Sequence, residues 1–495
     1  KGMVWVGTWG AGLQRHNPNN ARSFRTLRHS PLRDDGLSHP TVLSTLPIDA
    51  TRLWVGTGGN GIDVVDLQRG VVSGYRPHAT RPGALRDGTV RTMVAAGGKI
   101  WVGTQHGGLQ SFDLQTEQFS EPLQAVPRAP IRQLLLTQSG TLAVGMQASL
   151  LIVDTQRGTV RRMQLNAEQA FTDAVWSLAE DASQNLWIGT PNALFYWPKG
   201  ESFPTVAQSD GVVLRAIVDL HTDNEGVLWV TGPSTLARVK KWTASGPQFE
   251  DLSRQLKLQP QGLGQQLMPD LQRRLWTPRA VIDPNSLNID PIGVADGVDI
   301  GSVEIGSGSI SSSGSIFFGG TRGLLIIDPA RFRADRRSAN LILTSAAVDG
   351  RPISADRASR GLGLHAEQKR LTVEFAALDY VAPSEVRYAY RLNGLDRDWI
   401  EADYKQRIAS YHNLWPGEYQ LEIQAQLRSG VMSSNLIIPL VVEPAWWQTR
   451  SAAFLAVVLL SVLIYLGFGL RTLQIRRRAG VLEALVDSRT RELSA

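Results

Sequence analysis

The sequence predicts an all-β protein, with a seven-bladed β-propeller followed by an Ig-like β-sandwich, one transmembrane helix and a short coiled-coil helix. Three observations lead to this prediction. A Trp-containing motif recurs through the first two thirds of the chain, alternating strands without the motif follow, and an uncharged apolar run lies near the C-terminus. The 495 residues are too many for one ordinary hydrophobic core, so several domains are expected.

The recurring motif has the form apolar-Trp-apolar-Gly-Thr. It reads VWVGT at 4–8, LWVGT at 53–57, IWVGT at 100–104, LAVGM at 142–146, LWIGT at 186–190, LWVTG at 228–232, LWTPR at 275–279 and IFFGG at 316–320. Its second position falls at 5, 54, 101, 143, 187, 229, 276 and 317, which gives steps of 41 to 49 residues. A period in this range, built of short strands, predicts a β-propeller.

Each repeat reads as four strands, of which the motif is the second. The stretch LWVGTGGNGIDVVD at 53–66 gives the second strand, a glycine-rich turn and the third strand. Complete units begin near residues 41, 89, 130, 174, 213, 259 and 302, which predicts seven blades over residues 35–340. Residues 1–34 start at the motif without an inner strand, and are therefore interpreted as the remnant of a preceding blade in a chain truncated at its N-terminus.

The motif tryptophans are predicted to pack between neighbouring blades, because a large aromatic side chain on an alternating strand fills the space between two sheets. The glycine that follows would let the adjacent blade approach closely. These structural residues are Trp5, Trp54, Trp101, Trp187, Trp229 and Trp276.

The chain carries no convincing catalytic, cofactor or metal signature, so no catalytic residue, metal ligand or cofactor is predicted. The string GTGGNG at 56–61 superficially resembles a dinucleotide fingerprint, but that fingerprint requires a following helix, and IDVVDL is a strand. The eight histidines lack metal-ligand spacing. The absence of cysteine excludes disulfides and thiolate sites.

The repeats resemble the two-component regulator propeller family of bacterial receptors. The residues that carry the resemblance are GKIWVGTQHGGLQSFD (98–113), NLWIGTPNALFYW (185–197), RHSPLRDDGLSHPTV (28–42) and GSIFFGGTRGLLIIDPARF (314–332). The resemblance covers nearly all of residues 1–340, with LAVGM, LWVTG and LWTPR as departures. It implies a sensor role for the propeller.

Residues 341–445 lack the repeat and contain short alternating strands, which predicts a β-sandwich. This stretch resembles the triple-tyrosine (Y_Y_Y) domain that follows such propellers. The matching residues are Phe375, Tyr388, Tyr390, Leu392, Gly394, Leu395, Trp399, Tyr411, Leu414, Pro416, Gly417 and Tyr419. Taken alone, the tyrosines at 388, 390 and 419 are interpreted as strand packing.

An uncharged run at 452–470, AAFLAVVLLSVLIYLGFGL, predicts a transmembrane helix over 451–470, because such a helix would cover about 28 Å. Trp446 and Trp447 precede it, and Arg471 and Arg476–Arg478 follow it. The positive-inside rule then places residues 1–450 in the periplasm and residues 471–495 in the cytoplasm, with the helix in the bacterial inner membrane. The net charge of +6 is modest and predicts no nucleic-acid partner.

Residues 471–495 are predicted to form a cytoplasmic linker helix. Ile475, Ala479, Leu482, Val486 and Leu493 follow steps of four and three, with Arg489 interrupting the seam. This heptad pattern predicts a two-helix coiled coil and hence a homodimer. The segment resembles linkers that precede a histidine kinase or a diguanylate cyclase, so the sequence is interpreted as a receptor fragment without its output domain. The family resemblance, together with a composition typical of a proteobacterium, implies a slight preference for a cyclase.

The ligand is expected to bind the turns after the motif strands, which lie on one face of a propeller. The polar or aromatic residues of these turns are Asn60, Gln105, His106, Asn192, Ser234 and Trp9. The resemblance implies an unknown small-molecule or carbohydrate ligand. Two other functions remain open, an extracytoplasmic propeller enzyme that acts on polysaccharide and a membrane-anchored binding or assembly module.

Overall fold

The computed structural model describes residues 4–9, 12–16, 20, 22–32, 35–208, 212–223, 225–233, 235–243, 246–255, 266–286, 288–334 and 338–492. The chain divides into two compact units, Lys1–Arg336 and Arg337–Ala495. Among the described residues, seven four-stranded antiparallel sheets form in the first unit, and two sheets and a long helix form in the second. The predicted fold class is thereby confirmed.

The chain begins with a hairpin of two strands and then a separate third strand. The hairpin is β1 (Val4–Thr8) with β2 (Gly12–His16), and the third strand is β3 (Phe24–Leu27). The first blade contains β4 (Val42–Pro47), β5 (Arg52–Thr57), β6 (Ile62–Asp66) and β7 (Gly70–Tyr75). The second contains β8 (Val90–Ala96), β9 (Lys99–Thr104), β10 (Leu109–Asp113) and β11 (Gln118–Phe119).

The next three blades repeat this meander. Blade three contains β12 (Ile131–Leu136), β13 (Thr141–Met146), β14 (Leu150–Asp154) and β15 (Val160–Arg162). Blade four contains β16 (Ser177–Glu180), β17 (Leu186–Gly189), β18 (Leu194–Trp197) and β19 (Thr205–Val206). Blade five contains β20 (Asp219–Thr222), β21 (Leu228–Gly232), β22 (Thr235–Thr243) and β23 (Gly246–Asp251), and a short helix α1 (Leu252–Gln255) follows.

The last two blades differ in how their outer strand is supplied. Blade six contains β24 (Met268–Pro269), β25 (Leu275–Trp276), β26 (Ala280–Asp283) and β27 (Asn288–Pro291). Blade seven contains β28 (Ser309–Ile310), β29 (Ile316–Gly320) and β30 (Gly323–Ile327) from its own repeat. Its fourth strand is β3, which pairs antiparallel with β30 from Phe24 opposite Ile327 to Leu27 opposite Leu324.

This pairing corrects part of the predicted boundary at residue 35. The sequence assigns residues 1–34 to a preceding blade, but β3 completes the seventh blade of the ring. The physical reason is that the first three strands of this blade leave an open edge, which an N-terminal strand can pair. Phe24 of β3 is buried and lies edge-on to Phe332, with ring centroids 6.0 Å apart.

Seven hydrophobic clusters join the seven blades in a closed ring. Each cluster draws its buried residues from two successive blades, and one of them joins blade seven to blade one through Phe317, Leu324, Val42 and Val55. The core of the first unit therefore lies between the sheets, as in a propeller.

The second unit contains a two-sheet sandwich. One sheet has the order β32-β31-β34-β37, from β31 (Leu341–Val348), β32 (Arg351–Ile353), β34 (Arg370–Ala377) and β37 (Ile408–His412). The other has the order β33-β39-β38-β35-β36, from β33 (Leu362–Leu364), β35 (Arg387–Asn393), β36 (Ile400–Ala402), β38 (Gly417–Gln426) and β39 (Leu436–Val442). Helix α2 (Ala355–Arg360) lies between β32 and β33 in sequence.

Two tyrosines link the sheets of the sandwich. The Tyr388 hydroxyl of β35 accepts a hydrogen bond from the Ala377 N–H at the end of β34, at 3.1 Å. The Tyr411 hydroxyl of β37 donates to Asp396 Oδ2 at 2.7 Å. Burial, together with the Asp396 carboxylate, raises the pKa of Tyr411, so this phenol stays a neutral donor. Both tyrosines therefore satisfy a polar group while filling the core.

One helix, α3 (Arg450–Glu492), covers both the predicted transmembrane segment and most of the predicted linker. Its 43 residues correspond to about 65 Å. It is the one helix of the described chain that is long and apolar enough to cross a membrane. Trp446 and Trp447 precede it, exposed and edge-on to each other. Leu493 of the predicted seam lies outside the described residues.

Candidate ligand-binding rim

One face of the propeller carries the turns between the second and third strands of each blade, and we call these turns the rim. The motif threonine shapes them. Thr57 Oγ1 donates to the Gly61 carbonyl at 2.8 Å, Thr104 Oγ1 donates to Gly108 at 3.1 Å, and Thr190 Oγ1 donates to Ala193 at 2.8 Å. The recurring threonine therefore fixes the turn that follows it, a role that was not predicted from the sequence.

The motif glycine allows two blades to touch beneath the rim. A Cβ on Gly56 would lie 2.7 Å from the Val90 carbonyl oxygen of the next blade. A Cβ on Gly103 would lie 2.6 Å from Ile131 Cγ2, and one on Gly145 would lie 2.5 Å from Val175 Cγ1. A β-branched residue at the start of the next inner strand, or two residues before it in the case of Val175, thus occupies the space that glycine leaves.

Most of the motif tryptophans lie in the clusters between blades. Trp54, Trp101, Trp187, Trp229 and Trp276 are each at most 8% exposed, whereas Trp5, on the separate hairpin, is 46% exposed.

Three of the buried tryptophans each donate a hydrogen bond to an aspartate, an interaction that was not predicted from the sequence. The indole N–H groups of Trp187, Trp229 and Trp276 donate to Oδ2 of Asp181, Asp223 and Asp270 at 2.8 to 2.9 Å. The aspartate lies six residues before the tryptophan in each case, and this spacing was the available signal. The turn that contains Asp223 therefore has a structural role.

The six residues proposed for ligand contact from the sequence lie in different settings. Asn60 is exposed, and its amide donates to the Ser38 carbonyl at 2.7 Å. Asn192 is exposed, and its amide lies 3.4 Å from Asp173 Oδ2. Trp9 is fully exposed on the separate hairpin. Ser234 lies outside the described residues.

The remaining two, Gln105 and His106, lie in the turn of blade two. His106 is exposed, and its backbone N–H donates to Asp87 Oδ2 at 2.6 Å. The Gln105 side chain accepts a hydrogen bond from Arg91 Nε. An arginine from the inner strand thus reaches the rim at this point, and it was not identified from the sequence.

The residue that faces the motif glycine on each inner strand is polar in blades one to four. The pairs are Ser44 with Gly56, Thr92 with Gly103, Gln133 with Gly145, and Ser177 with Gly189. Several of these side chains bond to the next blade, as when Ser44 Oγ donates to the Val90 carbonyl at 3.1 Å and Thr92 Oγ1 accepts from Leu134 N–H at 3.1 Å.

In blade five, the equivalent residue of the inner strand is an acid, Asp219. Asp219 Oδ2 accepts a hydrogen bond from Leu267 N–H of blade six at 2.8 Å. Burial raises the pKa of Asp219 to about 7, although this backbone donor opposes the shift. Burial also lowers the pKa of His221, two residues further along β20, to about 4. Burial on β20 therefore disfavours the charged forms of both Asp219 and His221.

Comparison with known proteins fits this architecture. Residues 171–192 match the two component regulator propeller family, and residues 379–443 match the Y_Y_Y domain family. The chain contains a two component regulator propeller repeat and a Y_Y_Y domain. The propeller match covers the motif strand and rim turn of blade four, and the Y_Y_Y match covers β35 to β39.

Two longer proteins are similar over most of the chain. Histidine kinase P4 of Formosa agariphila is 20% identical over 471 residues, which are 90% of this chain and 31% of that protein. The extracellular domain of BT3049, a protein of B. thetaiotaomicron assigned to the hybrid two component systems, superposes with a TM-score of 0.75 at 20% identity. That match covers 89% of this chain and 60% of the other. The chain thus spans less than a third of the kinase and shares its fold with a regulatory extracellular domain.

Proposed function

We propose that this chain is the ligand-sensing and membrane-crossing part of a bacterial signal-transduction receptor. The observation that carries the proposal is the order of its parts, in which the propeller and the Y_Y_Y sandwich precede a single apolar helix that runs on without a break into a basic, heptad-patterned segment. The propeller and sandwich would lie in the periplasm and the end of α3 in the cytoplasm, as the one-sided arginines indicate.

The unbroken helix supplies a mechanical reason for signal transfer. Any shift of the sandwich that moves Arg450 also moves the cytoplasmic end of α3, because one helix contains both. A ligand drives such a shift only if it binds one arrangement of the receptor more tightly than the other. The resting state and the ligand-bound state would then differ in how two copies of α3 pack.

The output domain is proposed to be a histidine kinase or a diguanylate cyclase. The family resemblance slightly favours the cyclase, whereas the similarity to Histidine kinase P4 supports the kinase. An assay of the complete receptor for autophosphorylation and for cyclic diguanylate synthesis separates these two outputs.

A dimer through α3 is part of the proposal, because Leu482 and Val486 are apolar and more than half exposed in the single chain. The chain has no cysteine, so single cysteines can be introduced cleanly. We expect Leu482→Cys and Val486→Cys to form disulfide-linked dimers in membranes under mild oxidation. The control Ala484→Cys lies on the opposite side of the heptad and should cross-link at least about tenfold more slowly.

Equal cross-linking at residues 482, 484 and 486 would contradict a specific α3 seam. Absence of cross-linking at all three positions in intact membranes would contradict the dimer itself. Expression and membrane insertion of each variant are checked on the same samples.

A further inference from the structure

Two neighbouring arginines on the inner strands of blades two and three occupy equivalent positions. Arg91 lies between Val90 and Thr92, and Arg132 lies between Ile131 and Gln133, where the pairing with the second strand shifts register. These are β-bulges, in which the extra residue leaves the ladder and its side chain is redirected. Bulges of this kind are concentrated at rims and beside binding sites.

Each arginine is held by a glutamine of the rim. Arg91 Nε donates to Gln105 Oε1, and Arg132 Nε donates to Gln147 Oε1 at 2.6 Å. Gln105 and Gln147 both come directly after the motif strands β9 and β13. The same hydrogen-bonded pair of an inner-strand arginine and a rim glutamine therefore occurs twice, in adjacent blades. In both copies the hydrogen bond uses Nε and fixes the guanidinium plane.

The terminal nitrogens of both arginines lack an acceptor among the described residues. No carboxylate of the described chain lies within 4.0 Å of either guanidinium group. Asp87 belongs to the same region, but its oxygens accept the backbone N–H groups of Thr89, His106 and Gly107. Two cations thus stand together without a neutralising anion from the described part of the protein.

The positive charges of Arg91 and Arg132 repel each other in this arrangement. Burial lowers the pKa of Arg132, and the charge of Arg91 lowers it further. Both side chains are partly buried, so water screens their repulsion incompletely. A bound anion would remove the repulsion, and guanidinium groups with free terminal nitrogens suit the planar carboxylate geometry.

An aromatic residue occupies the equivalent position in the next blade. Trp176 directly precedes Ser177, which pairs with the motif glycine of blade four just as Gln133 pairs with that of blade three. The N–H of the preceding residue, Val175, donates to the Met146 carbonyl at 3.0 Å, next to Gln147. Trp176 is partly exposed, and its indole N–H has no acceptor among the described residues.

We propose that Arg91 and Arg132 bind the carboxylate of an anionic ligand whose ring stacks on Trp176. The ligand class is a carboxylate attached to a ring, as in a uronic-acid saccharide or an aromatic acid. This inference rests on the proposed sensing function and names the chemical class that the rim would take. Gln105 and Gln147 act as positioning residues, because they orient the two guanidinium groups.

The test measures binding to the full chain in lipid nanodiscs by calorimetry. The probes are a panel of oligouronates, their neutral methyl esters, and 4-hydroxybenzoate as the aromatic arm. We expect an acidic probe to bind and its neutral counterpart to fail. The double variant Arg91→Gln/Arg132→Gln should weaken binding by at least about 30-fold, because the ligand carboxylate loses both of its cationic partners in a partly buried site.

Two controls separate this effect from a loss of structure. Arg157→Gln removes an exposed arginine from the turn between β14 and β15, at the opposite end of blade three, and should leave binding unchanged. The thermal midpoint of the double variant should not fall, since the substitution relieves repulsion. Arg91→Lys/Arg132→Lys keeps both positive charges but removes the forked donor geometry of the guanidinium groups, and should give an intermediate loss of binding affinity.

Failure of every acidic probe, equal binding of the methyl esters, or unchanged binding by the double variant would overturn the proposal. None of these results changes the outcome expected of the α3 cross-linking experiment. The receptor proposal is therefore tested independently of the ligand proposal. Binding of the uronates alone or of the aromatic acid alone identifies which source supplies the carboxylate.

Discussion

Trp187→Ala is expected to lower the free energy of unfolding of the propeller by about 4 kcal/mol. Trp187 is fully buried between blades four and five, where its ring lies 5.3 Å from that of Tyr196 and 6.1 Å from that of Phe249. Truncation leaves a large cavity, and it also removes the indole donor of Asp181. Both losses act in the same direction, because the carboxylate loses a hydrogen bond in a place that excludes water.

The measurement is urea unfolding followed by far-UV circular dichroism, so that the lost fluorophore does not disturb the signal. The matched control is Trp5→Ala, which changes the same motif position on the exposed hairpin and should shift the unfolding free energy by less than about 1 kcal/mol. Equal losses for the two variants would show that packing between blades does not explain the tryptophan.

Gly56→Ala is expected to cost about 2 to 3 kcal/mol, because it forces a methyl group against a neighbouring backbone. The new Cβ would lie 2.7 Å from the Val90 carbonyl oxygen and closer still to Ser44 Oγ. The Ser44 side chain can rotate away, although it then loses its own hydrogen bond to the Val90 carbonyl. The Val90 carbonyl itself cannot move without shifting blade two.

Gly7→Ala is the control for this substitution. Gly7 occupies the same motif position in VWVGT, but no atom of the described residues lies within 4 Å of the position that a Cβ would take there. Alanine there should leave stability unchanged within about 0.5 kcal/mol. The comparison uses thermal unfolding of both variants, and a harmless Gly56→Ala would contradict the close approach of blades one and two.

The sequence was informative wherever a pattern repeated. Eight copies of one motif established the period of the repeat. This period predicted the propeller blades and the close approach of the next blade at Gly56. The closing strand β3 could not be predicted in this way, because FRTL has no repeat signature and its partner lies about 300 residues away in sequence. Pairing over such a separation is decided by the open edge of blade seven rather than by local propensity.

The rim was predicted less completely than the fold. Gln105 was identified because it lies in a turn, but its proposed role depends on Arg91, which lies on a strand. A β-bulge redirects that arginine, and a bulge leaves little trace in a single alternating strand. Alignment of the inner strands TVRTM, PIRQL and AVWSL would have placed Arg91, Arg132 and Trp176 at one position.

The propeller and the end of α3 must lie on opposite sides of a membrane if this chain carries a signal across it. Single-cysteine variants of the cysteine-free chain test this directly with a membrane-impermeant maleimide on intact spheroplasts. Gln115→Cys, in the turn between β10 and β11, should label from outside, and Ala484→Cys should label only after the membrane is opened. Labelling of both residues from the same side would contradict the proposed transmembrane receptor.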